Sequence, residues 1–99
     1  MLWKVVVKMK LIKVGAVWCP SCLIMTSRIN KILEQYEIEL TNYDYDIDSE
    51  IVEQYQIKDI LPVLILLDDN NKEIDRLIGE NSLKKLEEFI NRWKKYCIY

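Results

Sequence analysis

Apolar and polar positions along the 99-residue chain alternate in short blocks, each with its own period. "KLIKVGAVW", residues 10–18, is rich in β-branched residues and reads as a strand. From Pro20 to about Tyr36 the apolar positions Leu23, Ile24, Ile29, Ile32, Leu33 and Tyr36 follow helical spacing. "IELTNYDYD", from Ile38 to Asp46, alternates as a half-buried strand does. Asp48 or Ser49 suits the cap of a short helix running through Gln56, and Ile57 to Leu61 is a connection. Pro62 opens "VLILL", an apolar run too short for a buried helix and suited to a central strand. "DDNN", Asp68 to Asn71, is turn chemistry, so "KEIDRLI" returns as the second arm of a hairpin. Gly79 ends that arm. Asn81 or Ser82 then caps a last helix whose apolar stripe is Leu83, Leu86, Phe89, Ile90 and Trp93. The predicted order is β-α-β-α-β-β-α, an α/β mixed sheet flanked by helices. An extra N-terminal edge strand at Trp3 to Val7 fits the pattern, and so does a start at Met9.

Length makes this a single domain, 1–99, with a core of its own. At 51% hydrophobic and 30% charged, with a net charge of −2, the composition is that of a folded soluble protein. Acidic and basic residues are interspersed, and no basic run points to nucleic acid. No stretch of about eighteen apolar residues predicts a membrane span. Lys4, Lys8, Lys10 and Lys13 break every candidate signal-peptide core. The expected compartment is therefore the cytoplasm, where a permanent disulfide is disfavoured.

The chemistry concentrates in "VGAVWCPSCLIM", where Cys19 and Cys22 stand three positions apart. A stabilising bridge between them would close only about four residues, worth roughly 2 kcal/mol; one from Cys19 to Cys97 would give roughly 4.5 kcal/mol. Stability does not explain the short spacing. A closed zinc site needs four ligands, and the chain has no histidine and one further cysteine, so a metal would need two copies. Cys97 falls at the end of the last helix, as an incidental or dimer-forming thiol.

A reactive pair has positive support. Pro20 biases Cys19 away from helical dihedrals and itself suits the first helical position. Cys19 then sits at the N-cap, its exposed sulfur facing unpaired backbone N–H groups, which favours thiolate. A fall in its pKa from about 8.5 to about 7 would raise the thiolate fraction roughly tenfold at neutral pH. Reduced intrinsic nucleophilicity takes back roughly fivefold, so positioning and leaving-group quality must supply most of the acceleration. Cys22, one turn on and deeper, is placed to attack a bond formed at Cys19.

Trp18-Cys19-Pro20-Ser21-Cys22 after an apolar strand resembles the active site of the thioredoxin-like family. The resemblance runs from about Lys10 to Tyr96 and includes "YDYDIDSEIVEQYQIKDILPVLILL" and "EIDRLIGENSLKKLEEFI". It implies a thioredoxin fold and a thiol–disulfide oxidoreductase that reduces protein disulfides, with Cys19 as nucleophile and Cys22 as resolving thiol. The redox-active disulfide is its only cofactor. Partners implied are disulfide-bearing proteins and a thioredoxin-reductase-like electron donor, with no nucleic acid or membrane and a monomeric state. Pro62 matches the family's cis-proline, which would set the Leu61 backbone beside the sulfurs; the alternative is a trans proline that starts a strand. Trp18, Pro20, Ser21, Leu61, Pro62 and Gly79 are the implied substrate-binding residues, with Trp18, Leu61 and Gly79 forming an exposed docking surface. Trp18 is otherwise a core aromatic, and Gly79 an ordinary turn glycine.

Three departures stand out. Pro-Ser replaces Gly-Pro between the cysteines, and Ser21 is placed to donate a hydrogen bond to the Cys19 sulfur. Lys13 occupies the strand position where the family usually has a buried, proton-relaying acid. It is read either as a buried amine with a lowered pKa or a partner such as Asp44, or as a strand lysine extended to solvent. Leu61 precedes the proline in place of Ile or Thr. Glutaredoxins are a neighbouring possibility, but "LPV" and "GENS" match their glutathione pocket poorly. A thioredoxin-fold binding module without catalysis is the other alternative.

Overall fold

The computed structural model describes residues 9–94, so the suggested strand at Trp3 to Val7 and Cys97 lie outside the described residues. The elements follow the expected order: β1 (Met9–Gly15), α1 (Pro20–Leu33), β2 (Ile38–Asp44), α2 (Ser49–Gln54), β3 (Val63–Leu67), β4 (Glu73–Ile78) and α3 (Leu83–Lys94). The sheet order is β2-β1-β3-β4. β1 and β2 are parallel, a pairing that needs the crossover α1 supplies. The β1–β3 and β3–β4 pairs are antiparallel.

Strand alternation divides the core in two. Leu11, Leu64 and Leu66 point to the face that packs against Met25, Ile29 and Ile32 of α1 and Leu86, Phe89 and Ile90 of α3. Ile12, Val14, Val63, Ile65 and Leu67 point to the other face, where Ile51, Val52 and Tyr55 of α2 pack. β3 is buried along its whole length, as its unbroken apolar run requires.

Local chemistry sets the element ends. Pro20 occupies the start of α1 and Cys19 its N-cap, with φ −100° and ψ 107°. α2 stops two residues earlier than its sequence suggests because Gln56 turns left-handed at φ 53°. The Gln56 N–H then donates to the Glu53 carbonyl and the Ile57 N–H to the Val52 carbonyl, the paired bonds of a Schellman stop. Asp48 is the N-cap of α2, but its carboxylate accepts from the Asp44 N–H instead of capping. Ser82 caps α3 by accepting from the Lys85 N–H. In the β3–β4 turn the Asp68 carboxylate accepts from the N–H groups of Asn70 and Lys72.

The buried face of α1 differs from the expected stripe. Cys22, Met25, Ile29 and Ile32 form it, while Leu23 is 72% exposed and Ile24 is exposed beside it. Ile29 and Ile32 set the inward direction, and steps of three and four residues back from them reach Met25 and Cys22. Leu23 and Ile24 are each about 100° of helix rotation away from an inward position.

Candidate active site

The site forms where α1 starts, beside the turn that precedes β3. The Cys22 N–H donates to the Cys19 carbonyl at 3.1 Å and to the Cys19 Sγ at 3.2 Å. One of the orphan amides at the helix start therefore points at the sulfur, as the N-cap placement requires. The sulfur is not openly exposed, however. Cys19 is only 5% exposed, because the turn before Pro62 folds over it: its Sγ lies 3.8 Å from the Leu61 carbonyl oxygen. The Leu61–Pro62 peptide bond is cis.

Cys22 lies against β1. Burial first, and then its hydrogen bond to the Cys19 sulfur, push the Cys22 thiol up to about 11. The backbone at Ala16 and the charge of Lys13 act in the opposite direction. The two sulfurs thus occupy unequal environments, one receiving a backbone amide and the other holding its proton. Gly15 makes room for this: a Cβ there would sit 3.3 Å from the Cys22 Sγ. Gly15→Ala is therefore expected to cost about 1 kcal/mol net, crowding of about 1–3 kcal/mol being partly offset by a stiffer unfolded chain. Urea denaturation of the reduced protein measures it, and a stabilised Gly15→Ala would show that the contact relaxes freely.

The rim differs from the expected docking surface in its membership. Trp18 is 56% exposed, its Nε1–H donating to Asp46 Oδ2 at 2.7 Å and its ring meeting Tyr45 edge-on, so it is a wall of the site and not a core aromatic. Leu61 is buried, its side chain belonging to the core cluster that also holds the two cysteines. Gly79 is buried as well; its φ of 80° requires glycine, and a Cβ there would meet Ile60 at 3.4 Å. Its N–H donates to the Pro62 carbonyl. The exposed apolar rim is instead made by Val17, Trp18, Ile60 and Ile78. Pro20 is exposed next to it.

Ser21 does not donate to the Cys19 sulfur. Its hydroxyl donates to Glu80 Oε1, and Glu80 in turn pairs with Arg28. Lys13 does not reach Asp44: its ammonium donates to the Thr26 hydroxyl, which itself donates to the Cys22 carbonyl. Burial holds the Lys13 pKa below the usual lysine range, against the opposing influence of the cysteines. Ile60, Val17, Ile78, Glu80, Asp46 and Gly15 are the site residues that sequence reasoning passed over. Ile60 carried one signal, an apolar residue directly after the charged pair Lys58-Asp59 and immediately before Leu61-Pro62.

Among the described residues, no group of three or more cysteine or acidic side chains is arranged to hold a metal ion. No helix among them is long and apolar enough to cross a membrane.

The family model described as Thioredoxin matches residues 4–92. No curated protein matches the sequence. Among solved structures, thioredoxin from Fasciola hepatica is 27% identical with a TM-score of 0.77, covering 86% of this chain and 80% of its own. A mutant thioredoxin from Halobacterium salinarum is 19% identical with a TM-score of 0.80, over 89% of this chain and 76% of its own. Thioredoxin-2 of the malaria parasite is 23% identical with a TM-score of 0.76, over 86% and 82%.

Proposed function

Because the chain belongs to the thioredoxin family, we propose that this thiol–disulfide oxidoreductase reduces disulfides in other proteins through Cys19 and Cys22. The observation that carries the reading is the inequality of the two sulfurs: an N-cap sulfur that receives the Cys22 amide, and a partner whose thiol stays protonated until needed. The Cys19 thiolate attacks one sulfur of a substrate disulfide; the S–S bond breaks and the electron pair leaves on the other substrate sulfur, which takes a proton. Cys22 then loses its proton and attacks the Cys19 Sγ. The mixed disulfide breaks, and the substrate leaves as its second thiol. Two electrons have passed to the substrate, and a Cys19–Cys22 disulfide remains.

Val17, Trp18, Ile60 and Ile78 suit an apolar, extended protein segment. The Leu61 carbonyl beside the Cys19 Sγ suits backbone pairing with such a segment. The Cys19–Cys22 couple serves as its own cofactor, and a thioredoxin-reductase-like flavoenzyme regenerates the dithiol. The protein acts as a monomer in the cytoplasm.

The test is turnover. Catalytic amounts of the protein are expected to accelerate reduction of insulin disulfides by dithiothreitol, by about tenfold or more over the reagent alone. A rate equal to that of dithiothreitol alone would exclude the reductase reading.

A further inference from the structure

At the strand position where the family resemblance leads one to expect a buried acid, this chain carries a base, and its surroundings give that base a task. Lys13 and Gly15 lie two residues apart on β1 and so share a face of the sheet. A Cβ added to Gly15 would lie 3.3 Å from the Cys22 Sγ and 3.9 Å from the Lys13 Cε, so both side chains border the space that glycine leaves. A cleft of about 380 Å³ opens there, with Lys13, Ala16, Cys22 and Thr26 among its lining. Thr26 links the two residues, accepting from the Lys13 ammonium and donating to the Cys22 carbonyl.

The titratable groups that face Lys13 are Cys19 and Cys22 from the start of α1, Tyr43 and Asp44 from β2, and Asp48 before α2. Its cross-strand partners, Asn42 and Leu64, do not titrate. Both carboxylates are committed to backbone: Asp44 accepts from the N–H groups of Asp46 and Ile47, and Asp48 from that of Asp44. Among the described residues no carboxylate lies within ion-pair distance of Lys13. The cation is thus tied to a hydroxyl; of the two cysteines it faces, both of which become anions in the proposed reaction, Cys22 is the one that lines the same cleft.

We propose that Lys13 is the counter-charge for the Cys22 thiolate, speeding release of substrate from the mixed disulfide. The inference rests on the oxidoreductase reading. In the step itself, Cys22 passes its proton to water in the cleft and its sulfur attacks the Cys19 Sγ. The bond from Cys19 to the substrate sulfur breaks, and the electron pair departs on the substrate thiolate. Lys13 gains and loses no bond; it acts through Cys22, as a positioning charge where an acid would act as a proton carrier. Once Cys19 is in a mixed disulfide it bears neither charge nor acceptor role toward Cys22. Two of the effects that raise the Cys22 pKa then vanish, leaving burial opposed by the Ala16 backbone and by Lys13, the one full charge of the two.

The test follows the reduced full-length protein with 5,5′-dithiobis(2-nitrobenzoate) in stopped flow across pH. Attack by Cys19 releases one chromophoric thiolate and resolution by Cys22 the second, while release by Cys97 is identified as the phase that Cys97→Ser lacks. In Lys13→Gln the inflection of the second phase is expected to move up by about one pH unit, a shift kept small by the openness of the cleft. At neutral pH that phase slows about threefold, since roughly tenfold less thiolate is partly offset by greater intrinsic nucleophilicity. Lys13→Arg, which keeps the charge, is expected to restore both inflection and rate. An unmoved inflection in Lys13→Gln overturns the proposal, and so does a Lys13→Arg protein as slow as Lys13→Gln. Absence of both phases in the wild type would instead remove the oxidoreductase reading, and this inference with it.

Discussion

Cys22→Ser is expected to accumulate protein held in mixed disulfides with its substrates, while Cys19→Ser accumulates none. The asymmetry follows from the two environments. The Cys19 Sγ receives the Cys22 amide and lies against the Leu61 carbonyl, at the apolar rim. Cys22 is as buried as Cys19, and its sulfur lies next to the space Gly15 leaves open. Its thiol holds its proton, so attack on an incoming disulfide falls to Cys19. Serine at position 22 still donates its backbone N–H, so the first attack survives. Its hydroxyl is too weakly acidic to displace the substrate, and the intermediate persists. Serine at position 19 removes the attacking atom. Both variants should lose insulin reduction by a factor on the order of 10³ or more, the size of loss found when a covalent nucleophile is removed. Non-reducing electrophoresis and mass spectrometry of intact conjugates distinguish the two. Cys97 is present in both, so the site of any conjugate is mapped: one at Cys22 in Cys19→Ser would refute the assignment of roles, and one at Cys97 is a background common to both variants.

The second large effect concerns the core. Leu66 is fully buried in β3, in the cluster shared with α1 and α3. Leu66→Ala removes apolar volume where strands and helices on that face hold their positions, and a cost of about 3–4 kcal/mol is expected. Against a total stability of about 5–15 kcal/mol for a small domain, that is a large fraction. Each kcal/mol moves Tm by about 4–8 °C in a domain of this size, so the midpoint should fall by roughly 12–32 °C. Leu23→Ala, one leucine exchanged for the same alanine on the solvent side of α1, should change stability by no more than about 0.5 kcal/mol. Thermal melts followed by circular dichroism compare the pair. Equal losses would contradict the observed face of α1 and restore the stripe through Leu23 and Ile24.

These two predictions divide along what the sequence makes visible. Elements whose signal is redundant were legible: "VLILL" is apolar at every position, and Pro20 and Pro62 restrict the backbone whatever surrounds them. The order of strands and helices follows from such signals. The direction of a side chain is less redundant. Leu23, Ile24, Met25 and Ile29 are all apolar, and only packing against β1, β3 and α3 decides which of them turn inward. Ser21 had two acceptors within reach, and the nearer in sequence lost to Glu80, which is 59 residues away in the chain. Lys13 likewise found Thr26, on the helix that covers its strand, and not Asp44. Leu61 is assigned to the exposed docking surface by the resemblance, yet the turn carries its side chain into the core and leaves Ile60 outside. The placement of the pair at the start of α1 was readable from sequence, whereas the composition of the rim needed the fold.

The bond from the Gly79 N–H to the Pro62 carbonyl, with Asn81 donating to the carbonyls of Ile78 and Gly79, ties the far edge of the mouth to the near one. Trp18 is moored separately, through Asp46. Both edges of the slot are consequently held by hydrogen bonds within the protein itself. Under the proposed reductase function, a slot held in this way leaves most of the ordering on docking to the guest, so loosely folded client chains are expected to bind more weakly than clients that already present an extended edge.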